Sequence, residues 1–89
     1  MQANYQLAIT NNDKKGAIYV TWLLKQDQDQ VMIDPYLIPY PGIEAKASPA
    51  NNQNYVIQIA NHEQPPQLFT RDYRSDANRA WVFNGAGIQ

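Results

Sequence analysis

The sequence predicts an all-β domain: a small antiparallel β-sandwich or partly open barrel of six to seven short strands, with at most one helical turn near residues 75–79. Turn-forming segments recur at intervals of about 8–12 residues, which is typical of such folds. Between them, apolar and polar residues alternate with a period of two. The eight isoleucines, four valines and six tyrosines also favour strands. At 89 residues, the chain is predicted to form a single domain, residues 1–89.

The alternation predicts three strands in the amino-terminal part of the chain. Residues 5–9 form a half-buried strand, after which the segment NNDKKG supplies a hairpin turn that ends in Gly16. Residues 17–24 form the longest strand, and we place it centrally because both of its faces are largely apolar. Residues 31–33 form a short strand that stops near Pro35, since proline cannot donate a ladder hydrogen bond.

Three further strands are predicted in the rest of the chain. Pro41 and Gly42 match the central positions of a type II turn. Residues 43–47 follow as a strand, with the isoleucine and two alanines toward the core and the charged residues toward water. Residues 55–60 and 80–84 alternate in the same way and complete the set.

Composition and charge exclude several classes of protein. The net charge of −1 argues against a protein that binds the phosphate backbone of nucleic acids. The absence of cysteine excludes a disulfide framework and a thiolate zinc site. The longest apolar stretch, residues 17–24, is too short to span a membrane, and no signal sequence is recognisable at the amino terminus. We therefore expect a cytoplasmic protein.

Residues that would carry catalysis or bind a metal are few. His62 is the single histidine, and we expect it to be exposed in a loop, with Glu63 pointing away from it. Asp27 and Asp29 lack the glycine and the glutamate of a calcium-binding loop. The four glycines are scattered and form no phosphate-binding loop. We therefore predict no catalytic residue, no metal ligand and no cofactor, and we expect a protein that is not an enzyme.

The segment PYLIPYPG, residues 35–42, is named here the proline segment. If it is extended, Tyr36, Ile38 and Tyr40 share one face, and the leucine and the second and third prolines share the other. Proline confines such a segment to a sheet edge or to a crossover. Two interpretations remain open: a crossover covered by residues 61–67, or a stiff apolar ledge that contacts a partner.

Residues 71–81, named here the arginine segment, combine the residue types that dominate protein interfaces. Arg71, Tyr73, Arg74 and Trp81 are the candidate contact residues. Two aspartates nearby in the sequence are able to neutralise the arginines, so a loop closed by its own salt bridges is the alternative interpretation.

These observations predict a small non-enzymatic protein-binding module of the inhibitor, immunity or accessory type. Its contacts would be the proline segment and the arginine segment, and its partner another protein or a second copy of the chain, paired through an edge strand. The alternative is a lectin-like β-sandwich that binds carbohydrate, because aromatic rings and the amide groups of 19 asparagines and glutamines both suit sugars.

Overall fold

The computed structural model describes residues 4–89, which form seven β-strands and no helix. The strands are β1 (Gln6–Asn11), β2 (Ile18–Leu24), β3 (Asp27–Ile38), β4 (Gly42–Ala47), β5 (Asn54–Ala60), β6 (Leu68–Arg74) and β7 (Arg79–Phe83). The predicted all-β sandwich is therefore confirmed. Residues 75–77, where a helical turn was allowed for, form a turn between β6 and β7.

The strands form two sheets with the orders β4-β1-β7 and β3-β2-β5-β6. The described neighbours pair antiparallel, with one exception, the parallel pair of β1 and β7. The predicted antiparallel sandwich therefore contains one parallel pair that the sequence pattern did not indicate. Parallel neighbours need a long crossover connection, and here the chain between β1 and β7 includes all five other strands.

The core lies between the sheets and is filled by alternate residues of both. Its buried members are Leu7, Ile9, Ile18, Val20, Trp22, Leu24, Ile38, Tyr55, Ile57, Ile59, Tyr73, Trp81 and Phe83. Trp22 is fully buried, and its ring centroid lies 5.6 Å from that of Tyr55 and 5.5 Å from that of Tyr73. Each large apolar side chain removed from water in this way contributes about 1.5–3 kcal/mol to folding.

β3 is much longer than predicted. It extends from Asp27 to Ile38, passes through Pro35 and includes the first half of the proline segment. β3 is an edge strand that pairs only with β2, and its register shifts three times along the pair. Edge strands tolerate proline and bulges because one side of the backbone has no ladder to maintain. The prediction that the strand stops near Pro35 is therefore wrong.

The orientation predicted for β4 is reversed. Ile43 is 64% exposed and the two alanines of β4 are exposed, whereas Glu44 and Lys46 are half-buried. Pairing with β1 sets this orientation, because Glu44 lies opposite the inward-facing Ile9 and Lys46 lies opposite the inward-facing Leu7. Inward-pointing charges on an edge strand also discourage pairing with a further strand.

The turn before β4 is not of type II. The Tyr40–Pro41 peptide bond is cis, and Gly42 does not have the positive φ that a type II turn requires at this position. Glycine is nevertheless needed here, because a Cβ atom on Gly42 would lie 2.5 Å from the carbonyl oxygen of Pro39.

Candidate functional site

The proline segment presents less surface than the sequence suggested. Ile38 is 1% exposed and belongs to the core, so it is not available to a partner. Tyr36 is half-buried on the inner face of β3, and its hydroxyl accepts a hydrogen bond from Nε1 of Trp22 at 3.1 Å. Tyr40, at the turn, is exposed. Of the three predicted contact residues in this segment, Tyr40 is therefore the one open to solvent.

The environment of Tyr36 changes its acidity. Burial raises the pKa of Tyr36 to about 12, the hydrogen bond from Trp22 opposes this rise, and the negative charge of Glu44 adds to it. The ammonium group of Lys46 lies 4.9 Å from the centre of the Tyr36 ring, within the range of a cation–π contact. These contacts tie the edges of the two sheets together, which makes Tyr36 a structural residue of this edge.

The arginine segment is divided between the core and the surface. Tyr73 and Trp81 are 2% and 6% exposed, so both belong to the core and are not available to a partner. Arg71 is exposed, and its guanidinium carbon lies 4.9 Å from the centre of the Trp81 ring. Arg74 is exposed and lies 3.5 Å from the carboxylate of Asp76. The alternative interpretation, a loop closed by its own salt bridges, is therefore only partly correct. Asp76 pairs with Arg74, but Asp72 pairs with Lys25, and residues 71–74 and 79–81 belong to β6 and β7.

The two predicted contact regions do not form one surface. The proline segment belongs to β3 and the arginine segment to β6 and β7. β3 and β6 lie at opposite edges of the four-stranded sheet. A partner that contacts both regions would therefore have to reach across the whole sheet.

The outer face of the four-stranded sheet carries a surface that sequence reasoning missed. Leu37, Tyr19, Ala60 and Leu68 are direct neighbours across β3, β2, β5 and β6, and we call them the apolar row. Leu37 and Tyr19 are each 50% exposed and Leu68 is 54% exposed. The sequence signal for the row was the apolar character of both faces of β2 and of the proline segment. The pairing of the four strands, which aligns these residues, could not be predicted from the sequence.

The next row on the same face is polar but uncharged. Thr21 lies opposite Gln58, and Gln58 lies opposite Thr70. The apolar row is therefore bordered on this side by neutral hydrogen-bonding groups. Across β2, β5 and β6, neither of these two rows contains a charged side chain. On β3, the position beside Thr21 falls at a register shift that holds the exposed Asp34 and Pro35.

Two cavities adjoin the end of the sheet near the apolar row. The first, named the Tyr19 cavity, has a volume of about 280 Å³ and is lined by Ala17, Tyr19, Ala60, His62, Gln64 and Pro66, among others. The second, named the Asp13 cavity, has a volume of about 260 Å³ and is lined by Asp13, Lys15, Glu63 and Asn84, among others. Asn61 and His62 line both cavities. The two cavities are therefore adjacent, with these side chains between them.

His62 is not the exposed loop residue that the sequence suggested. It is half-buried, and its ring packs beside Gly16, where an added Cβ atom would lie 3.1 Å from the Cβ atom of His62. Its Nδ1 atom is buried, has no hydrogen-bond partner among the described residues and lies 3.8 Å from Oδ2 of Asp13. The carboxylate of Glu63 accepts a hydrogen bond from Nδ2 of Asn61 at 2.8 Å.

The other groups considered for chemistry are occupied or dispersed. The hydroxyl of Ser75 is buried, donates to the carbonyl oxygen of Ala50 at 2.6 Å and accepts from the N–H of Gln53 at 2.9 Å. Within residues 4–89, no three histidine, aspartate or glutamate side chains lie close enough together to hold a metal ion. The same residues contain no helix that is long and apolar enough to cross a membrane.

Comparison of the chain with protein-family models, with curated protein sequences and with solved structures finds no significant match.

Proposed function

We propose that this domain is a non-enzymatic protein-binding module whose contact surface is the apolar row on the outer face of the four-stranded sheet. The supporting observation is that three large apolar side chains, Leu37, Tyr19 and Leu68, are each at least half exposed in one continuous row. Contiguous exposed apolar surface is typical of interaction sites. Polar residues border the row, which is the usual arrangement of a protein interface.

The dimensions of the chain fit this role. A protein–protein interface of standard size covers about 800 Å² of each partner. This is about 15% of the 5368 Å² that the described chain exposes, so one face of the sandwich is sufficient. An inhibitor, immunity or accessory protein of this kind acts by occupying the surface of its partner, and it needs no catalytic group.

Some of the contact residues predicted from the sequence lie at the periphery of the proposed surface. Tyr40 and Arg74 are exposed near opposite ends of the strands that carry the apolar row, and they are candidates for contacts at the rim. Arg71 lies on the inner face of β6, opposite Ile57, and is therefore not part of this surface. A homodimer through an edge strand stays a prediction, and β6 is the edge that suits it, because its seven residues pair with β5 without a register shift and contain no proline.

Carbohydrate binding is the second candidate, and the Tyr19 cavity favours it. The exposed Tyr19 ring and the exposed amide of Gln64 line one concave site. Aromatic rings stack on the apolar faces of sugars, and amides make directional hydrogen bonds with hydroxyl groups. A glycan array with the wild-type protein and with Tyr19→Ala tests this candidate. Hits that the variant loses support it, and an array without hits removes it.

The protein-binding proposal is tested by a pair of variants. The double substitution Leu37→Ser and Leu68→Ser makes both ends of the apolar row polar, whereas Ile43→Ser makes the same kind of change on the outer face of the other sheet, where Ile43 is 64% exposed. A partner is first captured from the native host and identified, and its affinity for each purified variant is then measured by calorimetry. We expect the double variant to bind at least tenfold more weakly, which corresponds to about 1.4 kcal/mol, and the control to bind as the wild type does. Equal affinities of all three proteins would refute the proposed surface.

A further inference from the structure

The Asp13 carboxylate is buried but incompletely hydrogen-bonded. The side chain is 6% exposed, and Oδ1 accepts a hydrogen bond from the N–H of Lys15 at 3.1 Å. Oδ2 receives no hydrogen bond from a described residue, since Nδ1 of His62 lies 3.8 Å away, beyond hydrogen-bond distance. Burial of a carboxylate is costly unless its oxygens are paired or hydrogen-bonded. Oδ2 therefore has the capacity to accept a hydrogen bond from a ligand.

The charges around the Asp13 cavity favour a cationic ligand. Asp13 and Glu63 contribute two carboxylates to its wall, and Lys15 contributes one ammonium group. The lining therefore contains one more carboxylate than ammonium group. The cavity volume of about 260 Å³ is below the range of roughly 300–1,000 Å³ that is usual for small-molecule sites. A single side chain suits this space better than a larger molecule does.

The Asp13 cavity is also connected to the proposed binding surface. Tyr19 and Ala60 belong both to the apolar row and to the wall of the Tyr19 cavity. Asn61 and His62 separate that cavity from the Asp13 cavity. A segment of a partner that lies on the apolar row is therefore able to place a neighbouring side chain in the Asp13 cavity.

We propose that the Asp13 cavity receives a basic side chain, an arginine in preference to a lysine, from the partner segment that lies on the apolar row. This inference rests on the proposed function. The planar guanidinium group of arginine presents five N–H donors and pairs with carboxylates in a bidentate manner. It would supply the hydrogen bond that Oδ2 of Asp13 lacks, while the neutral apolar row accepts the apolar residues beside the arginine.

The site is tested without the partner by NMR titration of the full ¹⁵N-labelled chain. The probes are N-acetyl-arginine amide, N-acetyl-lysine amide and N-acetyl-citrulline amide, the last being a neutral analogue of the arginine probe. We expect the arginine probe to shift the amide signals of residues 13–16, 61–63 and 84–86 with saturation in the millimolar range, the lysine probe to bind more weakly, and the citrulline probe to cause no saturable shift. No saturable shift with the arginine probe, or equal binding of citrulline, would overturn the inference.

Variants then assign the binding to this cavity. Asp13→Asn keeps an oxygen for the Lys15 N–H but removes the charge, and we expect it to abolish the saturable shift with the arginine probe. Glu63→Gln should weaken binding of that probe several-fold. It serves as the second variant if Asp13→Asn does not fold. Glu44→Gln is the matched control. Glu44 lies on β4, at one edge of the three-stranded sheet, and this variant should bind as the wild type does. The double variant Leu37→Ser and Leu68→Ser should still bind the arginine probe. If the identified partner depends on the leucines but not on Asp13 or Glu63, the proposed function stands and this inference fails.

Discussion

The hydrogen bond between Trp22 and Tyr36 provides a quantitative test of how the two sheet edges are held together. Tyr36→Phe removes the acceptor of the Trp22 Nε1–H, which is on a fully buried side chain. A buried donor left without a partner costs about 1–3 kcal/mol. At neutral pH we therefore expect the free energy of unfolding to fall by about 1–2 kcal/mol.

The same substitution changes the response to alkaline pH. The pKa of Tyr36 is about 12 in the folded protein and about 10 in an unfolded chain. Because the folded-state pKa is the higher one, the stabilisation is complete below about pH 10 and is lost as the pH rises toward 12. The loss amounts to about 1.4 kcal/mol at pH 11 and to about 2 kcal/mol at pH 11.5. Tyr36→Phe cannot show this loss.

The assay is urea denaturation followed by far-ultraviolet circular dichroism, at pH 7 and at steps up to about pH 11.5. Burial also raises the pKa of Tyr73, so the informative quantity is the difference in the free energy of unfolding between wild type and variant at each pH. Tyr40→Phe, at the exposed turn, is the control and should follow the wild type. The reasoning is refuted if Tyr36→Phe is as stable as the wild type at pH 7 and loses stability in parallel with it at high pH.

Three further substitutions test the packing. Gly42→Ala places a methyl group 2.5 Å from a backbone carbonyl oxygen and should cost about 1–3 kcal/mol in urea denaturation, whereas Gly87→Ala, with no heavy atom within 4 Å of the new carbon, should change stability by less than about 0.5 kcal/mol. Ser75→Ala removes the hydroxyl that bonds to two backbone groups and should cost about 1–3 kcal/mol; an unchanged thermal midpoint would contradict this. Arg71→Ala removes the guanidinium group above Trp81 and should cost about 0.5–1 kcal/mol, with a red shift of tryptophan emission that a Lys substitution partly prevents.

Six of the seven strands and most of the core followed from local patterns in the sequence. β6 was missed, because its second half was assigned to a loop. In β2 and β5, apolar residues at every second position predicted both the strands and the inward-facing side chains, and Trp22 and Ile57 are fully buried as this alternation requires. The pattern works here because these strands lie inside the four-stranded sheet, where the inner face must be apolar to pack against the second layer.

Edge strands were harder to predict, because their faces are less constrained. In β4 the period of two was correct, but the side that faces the core was not, since register with β1 turns Glu44 and Lys46 inward. Their long side chains reach the open side of the sandwich, where Lys46 meets Glu44 at 3.4 Å. A hydrophobicity pattern carries no information on register, so this orientation was not accessible from the sequence.

The candidate site was missed for a different reason. Asp13 and His62 belong to two connections that are far apart in the sequence. The first was predicted to be a hairpin turn, which is wrong, because β1 and β2 lie in different sheets and the connection crosses between them. The second joins the paired strands β5 and β6. Their approach to 3.8 Å depends on where β1, β2 and β5 place these connections at one end of the sandwich. Sequence spacing identifies sites within one element, whereas this site exists only after the sheets have formed.

The distribution of aromatic side chains explains why the proposed contact surface, the apolar row, is built mainly from aliphatic residues. Trp22, Tyr55, Tyr73 and Trp81 meet in the core, each ring centroid lying within 6.5 Å of another, because a two-layer domain of this size needs its largest side chains to fill the interior. Tyr73 and Trp81, which the sequence analysis proposed as contact residues, are therefore buried in the core. In the proposed interface, the outer face would supply contact area through leucine and a single exposed tyrosine, and such area discriminates weakly between apolar partners. Discrimination would then have to come from directional polar groups near the row, of which the Asp13 carboxylate is the one proposed above.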